Sequence, residues 1–429
     1  MASHLENLPQ ELLGIIAEAL PTDDFRNLRL ASSKLGTVTR PFLAQPTFDG
    51  VPWRNDANRL LELSRIPECA GRIRSVDFYF SRLTERLNFE DAAYYSFTTS
   101  DWQDMLKKDW ARYYETQQEA KRNGPFRLEL FGAALANLPA LAEVCLTWTR
   151  CPWKDPKVEK IFDPDASVDL TRETMLDIQQ MTLNTLWKID IPLSSLCIEP
   201  MVLHDLALPR DAPLPKKLFE SLQHFHIEAI AELFLADRLE FLLSNMTNLT
   251  SLCLQFIGSD RIHLDPEFLP NTHLRQLRSL NLSCAEFSLD SFSQFISRHA
   301  SSLEEIHLIG AQAIVAEDGM PSVNTWDDIF RQIRREVKKL KGVSIRGTFS
   351  HQRGTSIVFI HEEDPRHKHV PPEVWDVPSK TIEDWLLHGG VYPEIPWEKG
   401  MAQIMDEIEY EVMVENDVEA MFDPDDMVD

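Results

Sequence analysis

The sequence predicts an α/β fold, with a three-helix module at the N-terminus followed by strands and helices that alternate and stack as an irregular solenoid. Three observations predict it. A strand motif, L-x-x-L-x-L with apolar substitutes, recurs along most of the chain. Its central copies return at a nearly constant step of about 27 residues. The segments between copies place their apolar residues at helical spacing instead.

The helical module spans residues 1–50. Pro9 stands where a first helical residue belongs, because its missing N–H would be unpaired there in any case. Good helix formers run on to Leu20, and Pro21 stops them. Thr22 is positioned to cap a second helix, with Asp23 and Asp24 in its first turn, where negative charge suits the helix dipole. Ser32 or Ser33 opens a third, short helix, and Pro41 ends or kinks it. The first helix is apolar over too much of its girth: Leu12, Ile16 and Leu20 form one stripe, and Leu13, Ile15 and Ala19 fill the flanks. About 45 residues cannot build a self-sufficient core. The module is therefore expected to lean on the next domain, on a partner chain, or on both.

Residues 8–43, LPQELLGIIAEALPTDDFRNLRLASSKLGTVTRPFL, resemble the F-box in its fungal form. That motif begins Leu-Pro-x-Glu-Leu/Ile-Leu, passes through an apolar helix and an acidic turn, and ends in Leu-Arg-Leu-x-Ser-Lys/Arg-x-Leu. The resemblance implies binding to the small Skp-family linker and, through it, to a cullin-RING ubiquitin ligase. Carried onto this chain, the linker-facing residues are Leu8, Pro9, Leu12, Ile16, Leu28 and Leu30. Phe25 departs from the family, which more often has Leu there, and keeps the site apolar.

The repeats follow. The firm copies are centred on Phe225, Leu252, Leu280 and Ile306, with weaker ones on Leu196 and Val343 and, further upstream, on Val76 and Val144. The period is that of leucine-rich repeats with a helix in each unit, of the ribonuclease-inhibitor-like kind. Helices are expected after Asn324 or Thr325, where Trp326, Ile329, Phe330 and Ile333 keep helical spacing, after Ser288, and over 231–243. A doubly wound α/β sheet is the alternative for alternating strands and helices. The recurring motif, the steady step and the lack of a Gly-rich crossover favour the solenoid.

The resulting organisation has irregular early repeats with helical and loop insertions over 51–190, including a helix at 101–122 and a charged, Pro-rich loop at 150–168. Firm repeats occupy 191–350, a C-terminal capping segment 351–400, and an acidic tail 401–429. The cap contains a strand at 355–361 and the stretch TIEDWLLHGGVYPEIPWEKG, which resembles a C-terminal element of fungal proteins of this kind. Trp375, Trp385 and Trp397 are expected to supply its buried area. The tail carries only acidic charge and reads as a solvated, poorly ordered run.

Strand side chains alternate between faces. Within each motif the L-x-L residues point into the core and their neighbours point onto the open, concave face, which solenoids use to bind other proteins. This puts Glu199, His224, His226, Glu228, Ser251, Gln255, Asn281 and His307 on the expected target-binding face, with Cys145, Cys197 and Cys253 at one shared strand position.

Composition narrows the chemistry. A net charge of −25 over 429 residues argues against nucleic acid or anionic membrane as partner. With 15 glycines and no G-x-G-x-x-G or G-x-x-x-x-G-K run, there is no sequence case for a phosphate cradle. Six cysteines without C-x-x-C spacing suit neither a disulfide scaffold nor a zinc site. No secretory signal or membrane-spanning stretch is visible, so an intracellular setting, cytoplasm or nucleus, is expected. His224-x-His226 with Glu228, and the group His361, His367 and His369, are read as ordinary histidines; no metal and no cofactor is expected. The cysteines are read as small residues filling the sheet, although His226 can lie beside Cys197 or Cys253. The reading is a substrate receptor without an active site. The alternatives are a repeat scaffold that does not deliver targets to a ligase and, last, an enzyme built on the Cys and His of the open face.

Overall fold

A computed structural model describes residues 4–52, 54–81, 108, 111–115, 118, 127–152, 172–201, 216–230, 236–257, 262–263, 269, 272–313, 324–350, 356–360, 377–393 and 395. The chain divides into two compact units. One holds Met1–Ala229 with Asn245–Leu249, the other Ile230–Ser244 with Thr250–Asp429. Most of the expected helix 101–122, most of the loop 150–168, Trp375, Trp397 and the acidic tail lie outside the described residues.

The first unit opens with helices α1 (Gln10–Ala19), α2 (Thr22–Ala31) and α3 (Ser33–Val38). Pro9 and Pro21 precede the first two. Thr22 does not cap α2; it is the first helical residue, and Pro21 holds the cap position without a side-chain bond. Ser32 does cap α3, accepting from Leu35 N at 3.2 Å. Leu13, Ala17 and Leu35 are buried within the module. The module also leans on the chain that follows: the Arg72 guanidinium lies 4.3 Å from the Phe42 ring centre, and Cys69 donates to Arg40 O at 3.4 Å.

Five parallel strands then neighbour one another in chain order: β1 (Thr47–Gly50), β2 (Ser75–Tyr79), β3 (Glu143–Thr147), β4 (Ser195–Met201) and β5 (His224–Ile230). Strand β1 carries no full L-x-x-L-x-L motif, and its four residues lie at the end of the span 1–50 that the sequence reads as the helical module. Helices α4 (Asp56–Ser64), α5 (Pro67–Ala70), α6 (Leu128–Ala136), α7 (Arg172–Ile189) and α8 (Lys216–Ser221) lie between the strands in sequence. The motif residues align across the sheet, with Val76, Val144, Leu196 and Phe225 in one buried row and Phe78, Leu146, Ile198 and Ile227 in the next. Phe78 sits between Phe48, Phe80 and Phe131, with ring centres 6.1, 5.9 and 4.7 Å away. Burying such a side chain stabilises by roughly 1.5–3 kcal/mol, which is why these positions admit little but large apolar residues.

The second unit repeats the scheme. It contains α9 (Ala236–Ser244) and the strands β6 (Ser251–Ile257), β7 (Ile262–His263), β8 (Ser279–Ser283), β9 (Ala285–Phe287), β10 (Glu305–Ile309), β11 (Gln312–Ala313) and β12 (Gly342–Ser350). Strands β6, β8, β10 and β12 are parallel neighbours, and β7, β9, β11 and the end of β12 form a second row. A left-handed residue makes the corner between the rows: Cys284 (φ 54°) after β8, Gly310 (φ 63°) after β10, and Gly347 (φ 77°) inside β12. Helix α10 (Leu289–His299) follows Ser288 as expected. Helix α11 (Trp326–Glu336) begins at a capping box in which Thr325 and Asp328 bond reciprocally.

Past β12, strand β13 (Ser356–Ile360) pairs antiparallel with it, β14 (Val377–Pro378) pairs with β13, and α12 (Ser379–His388) follows. Glu383 accepts from Ile345 N at 2.8 Å, satisfying a backbone donor on β12. Arg334 donates to the carbonyls of Leu386 and Leu387, the favourable placement of a cation at a helix C-terminus. Ile382 and Leu386 supply the buried area here. Trp385, expected to do so, is half-buried against Tyr392, with ring centres 4.7 Å apart. Among the described residues the main strands of each unit follow chain order, without the reversal that defines a doubly wound sheet. Parallel strands alternating with helices in this way are consistent with leucine-rich-like repeats.

Candidate functional site

Two features outside the core stand out, one in the first unit and one that each unit shows on its own strands. The first is the outward side of the N-terminal helices. An amphipathic helix buries one stripe, and in α1 that stripe is Leu13 and Ala17, spaced i, i+4. The register leaves Leu12 46% exposed and Ile15 62% exposed, and on α2 Leu30 is 77% exposed. Among the residues expected to face the linker, Pro9 is exposed like Leu12 and Leu30, while Leu8, Ile16 and Leu28 are half-buried. Ile15, read from the sequence as a flank, is the most exposed large apolar residue of α1.

The second feature is the open face of the strands. Asp77, Cys145, Cys197 and His226 share one register row, and Tyr79, Thr147 and Glu199 the next. In the second unit, Cys253, Asn281, His307 and Ser344 share a row. The expected alternation therefore holds. His224 is exposed, and His226, Ser251, Gln255, Asn281 and His307 are half-buried.

Glu199 and Glu228 differ from expectation: each is the fifth residue of a seven-residue strand and is buried, 2% and 5% exposed. The segment leaving β3 reaches them. Thr149 Oγ1 donates to Glu228 Oε2 at 2.9 Å, and Arg150 Nη2 donates to Glu199 Oε1 at 2.5 Å. Ser81 Oγ in turn bonds the Arg150 carbonyl. These two acids are thus held inside a polar cluster and do not form an open contact surface. Nothing in the strand motif singled out Thr149 or Arg150; the sequence showed only a polar pair at the start of a Pro-rich loop.

Strand β4 supplies the centre of this cluster through Cys197 and Glu199, spaced i, i+2 and so on one face. Cys197 Sγ lies 3.2 Å from Glu199 Oε1 and 3.7 Å from His226 Nδ1 on β5. His226 Nδ1 lies 3.0 Å from Glu199 Oε1. Cys145 comes from β3, and donor atoms of Cys145, Cys197 and Glu199 all lie within 4.8 Å of one another. Glu199 Oε2 is buried and has no hydrogen-bond partner among the described residues.

The charges follow from these contacts. Burial pushes the Glu199 carboxyl up, but hydrogen bonds from His226 and Arg150 outweigh it and hold the group down at about 2. Glu228 is pushed up to about 7, chiefly by burial, against the opposing bond from Thr149. The Cys197 thiol is raised by its hydrogen bond with Cys145 and by burial. A nucleophilic cysteine needs the opposite displacement, so the arrangement favours a protonated thiol over a reactive thiolate.

The contact possible for His226 is thus made with Cys197. The cluster of His361, His367 and His369 lies outside the described residues. Among the described residues no helix is long and apolar enough to cross a membrane. No protein-family model matches the chain, and no curated protein matches it in sequence.

Proposed function

We propose that this protein is the substrate-recognition subunit of an SCF-type (Skp–cullin–F-box) ubiquitin ligase, with the N-terminal helices docking on a Skp-family linker and ribonuclease-inhibitor-like repeats holding a target protein. The observation that carries the reading is the exposure of three large apolar residues, Leu12, Ile15 and Leu30, which a three-helix unit with its own small core leaves in water. Large exposed apolar residues on so short a module are the kind that a partner covers. The order of motif elements over residues 8–43 points to which partner that is.

The chemistry is then one of proximity. The receptor holds a target beside a charged ubiquitin carrier, and the raised effective concentration of a target lysine accelerates transfer. His224, His226, Ser251, Gln255, Asn281 and His307 are the accessible or half-accessible residues offered to a target. Co-purification of the intact chain with the linker, set against a Leu8→Ala plus Pro9→Ala variant, tests the reading. Association of the intact chain and its loss in the variant support it, and no association of the intact chain overturns it. Ubiquitylation of captured proteins, with and without residues 1–44, separates a delivering receptor from a scaffold.

A further inference from the structure

The polar cluster over β4 has a composition that an ion pair alone does not need. Two thiols, a carboxylate and an imidazole converge there from three adjacent strands. We propose that Cys145, Cys197, Glu199 and His226 form a binding site for one thiophilic divalent cation, Zn2+ in the first instance.

The geometry supports this in three ways. First, the central strand supplies two donors on one face, Cys197 and Glu199, while each neighbouring strand supplies one at the same register position, Cys145 from β3 and His226 from β5. Parallel strands lie about 4.8 Å apart, so an ion above β4 is within reach of all three. Second, Glu199 Oε1, Cys197 Sγ and His226 Nδ1 are 3.0, 3.2 and 3.7 Å apart; around tetrahedral Zn2+ with thiolate, imidazole and carboxylate ligands such donors stand about 3.3–3.8 Å apart, so one separation fits and the other two need to open by a few tenths of an ångström. Third, Glu199 is 2% exposed and its Oε2 has no partner among the described residues, so acceptor capacity is left over inside the cluster.

Arg150 fits the loaded site as well as the empty one. Its Nη2 touches both Glu199 Oε1 and, at 3.6 Å, Cys197 Sγ. Two thiolates and one carboxylate around Zn2+ leave a single negative charge, which the guanidinium balances as an outer-shell donor. Loading replaces two S–H protons with two S–Zn bonds and releases both protons to solvent. Soft sulfur donors select Zn2+ over Mg2+ or Ca2+, which require oxygen cages. The site stands apart from the linker-facing helices, so the two readings fail independently.

The test uses the full chain, reduced and stripped of metal, titrated with Co2+ and then displaced with Zn2+. The expected result is one equivalent of cobalt with tetrahedral ligand-field bands and thiolate-to-cobalt charge transfer. Cys145→Ser and Cys197→Ser should each weaken binding by more than the roughly 10- to 100-fold that losing an outer-shell partner costs. Arg150→Gln should fall within that range, and Cys253→Ser should bind as the parent. A readout without substitutions guards against misfolded variants: Zn2+ should protect Cys145 and Cys197 from alkylation while the exposed Cys284 still reacts. No saturable one-to-one cobalt signal, a signal unchanged in Cys145→Ser and Cys197→Ser, or alkylation of the pair unaffected by Zn2+ overturns the proposal.

Discussion

His299 makes the second unit sensitive to acid through one buried imidazole. It ends α10 and is 1% exposed. Its Nε2 accepts from Leu274 N at 3.0 Å, so Nδ1 carries the proton that reaches Phe295 O at 2.8 Å. Protonating Nε2 would set two donors against each other. Burial holds the group down at about 4; the Phe295 carbonyl pulls upward, and the charges of Arg298 and His273 push further down. A base depressed in this way contributes stability that is present above the unfolded value of about 6.5 and is lost as pH falls through about 4, in all about 3 kcal/mol. Between pH 7.5 and 4.5 the loss is about 2.5 kcal/mol. Urea unfolding of the parent and of His299→Gln at both pH values isolates it, because other groups titrate alike in the two proteins. The parent should lose about 2.5 kcal/mol more than the variant. An equal loss in both would refute the assignment of a neutral, acceptor-bonded His299.

The corners of the second unit carry a pair of opposite predictions. At Gly347, φ is 77° and an added Cβ would lie 3.1 Å from Gly310 N, so Gly347→Ala should destabilise by about 2 kcal/mol or more in thermal melting. At the equivalent corner Cys284 pays the left-handed penalty, and Cys284→Gly should raise the melting temperature, by up to about 1 kcal/mol of stability. Thr325→Ala removes one half of the capping box of α11 and should lower the urea unfolding free energy by about 1 kcal/mol.

Much of the fold was legible because the strand motif is written twice over, in its alternation and in its step. Each of the eight motif copies expected from the sequence is a strand, and Ser288 and Thr325 stand before helices as expected. Strand β1 escaped notice because its buried side rests on Phe48 and Gly50 alone, too short a signal for periodicity. The module's three helices were legible from Pro9, Pro21 and Ser32, but the outward rank of Ile15 was not. Which face of α1 is buried depends on where Leu35 and Phe42 pack, and that is tertiary information. The candidate site was legible only in part. Period two correctly placed Cys145, Cys197, Glu199 and His226 on one face. Burial of Glu199 and Glu228 by Thr149 and Arg150 depends on the path of a loop that has no periodicity to read.

The central claim is that water-exposed apolar side chains on the N-terminal helices are covered by a linker subunit. Binding of the full chain to a purified Skp-family linker, measured by calorimetry alongside a Leu12→Asp plus Ile15→Asp variant, tests it most directly. Burial of two such residues contributes about 3–4 kcal/mol, so the account predicts a one-to-one complex that weakens by at least about 100-fold in the variant, with the urea midpoint unchanged. A parent chain that does not bind, or a variant that binds as tightly as the parent, would contradict it.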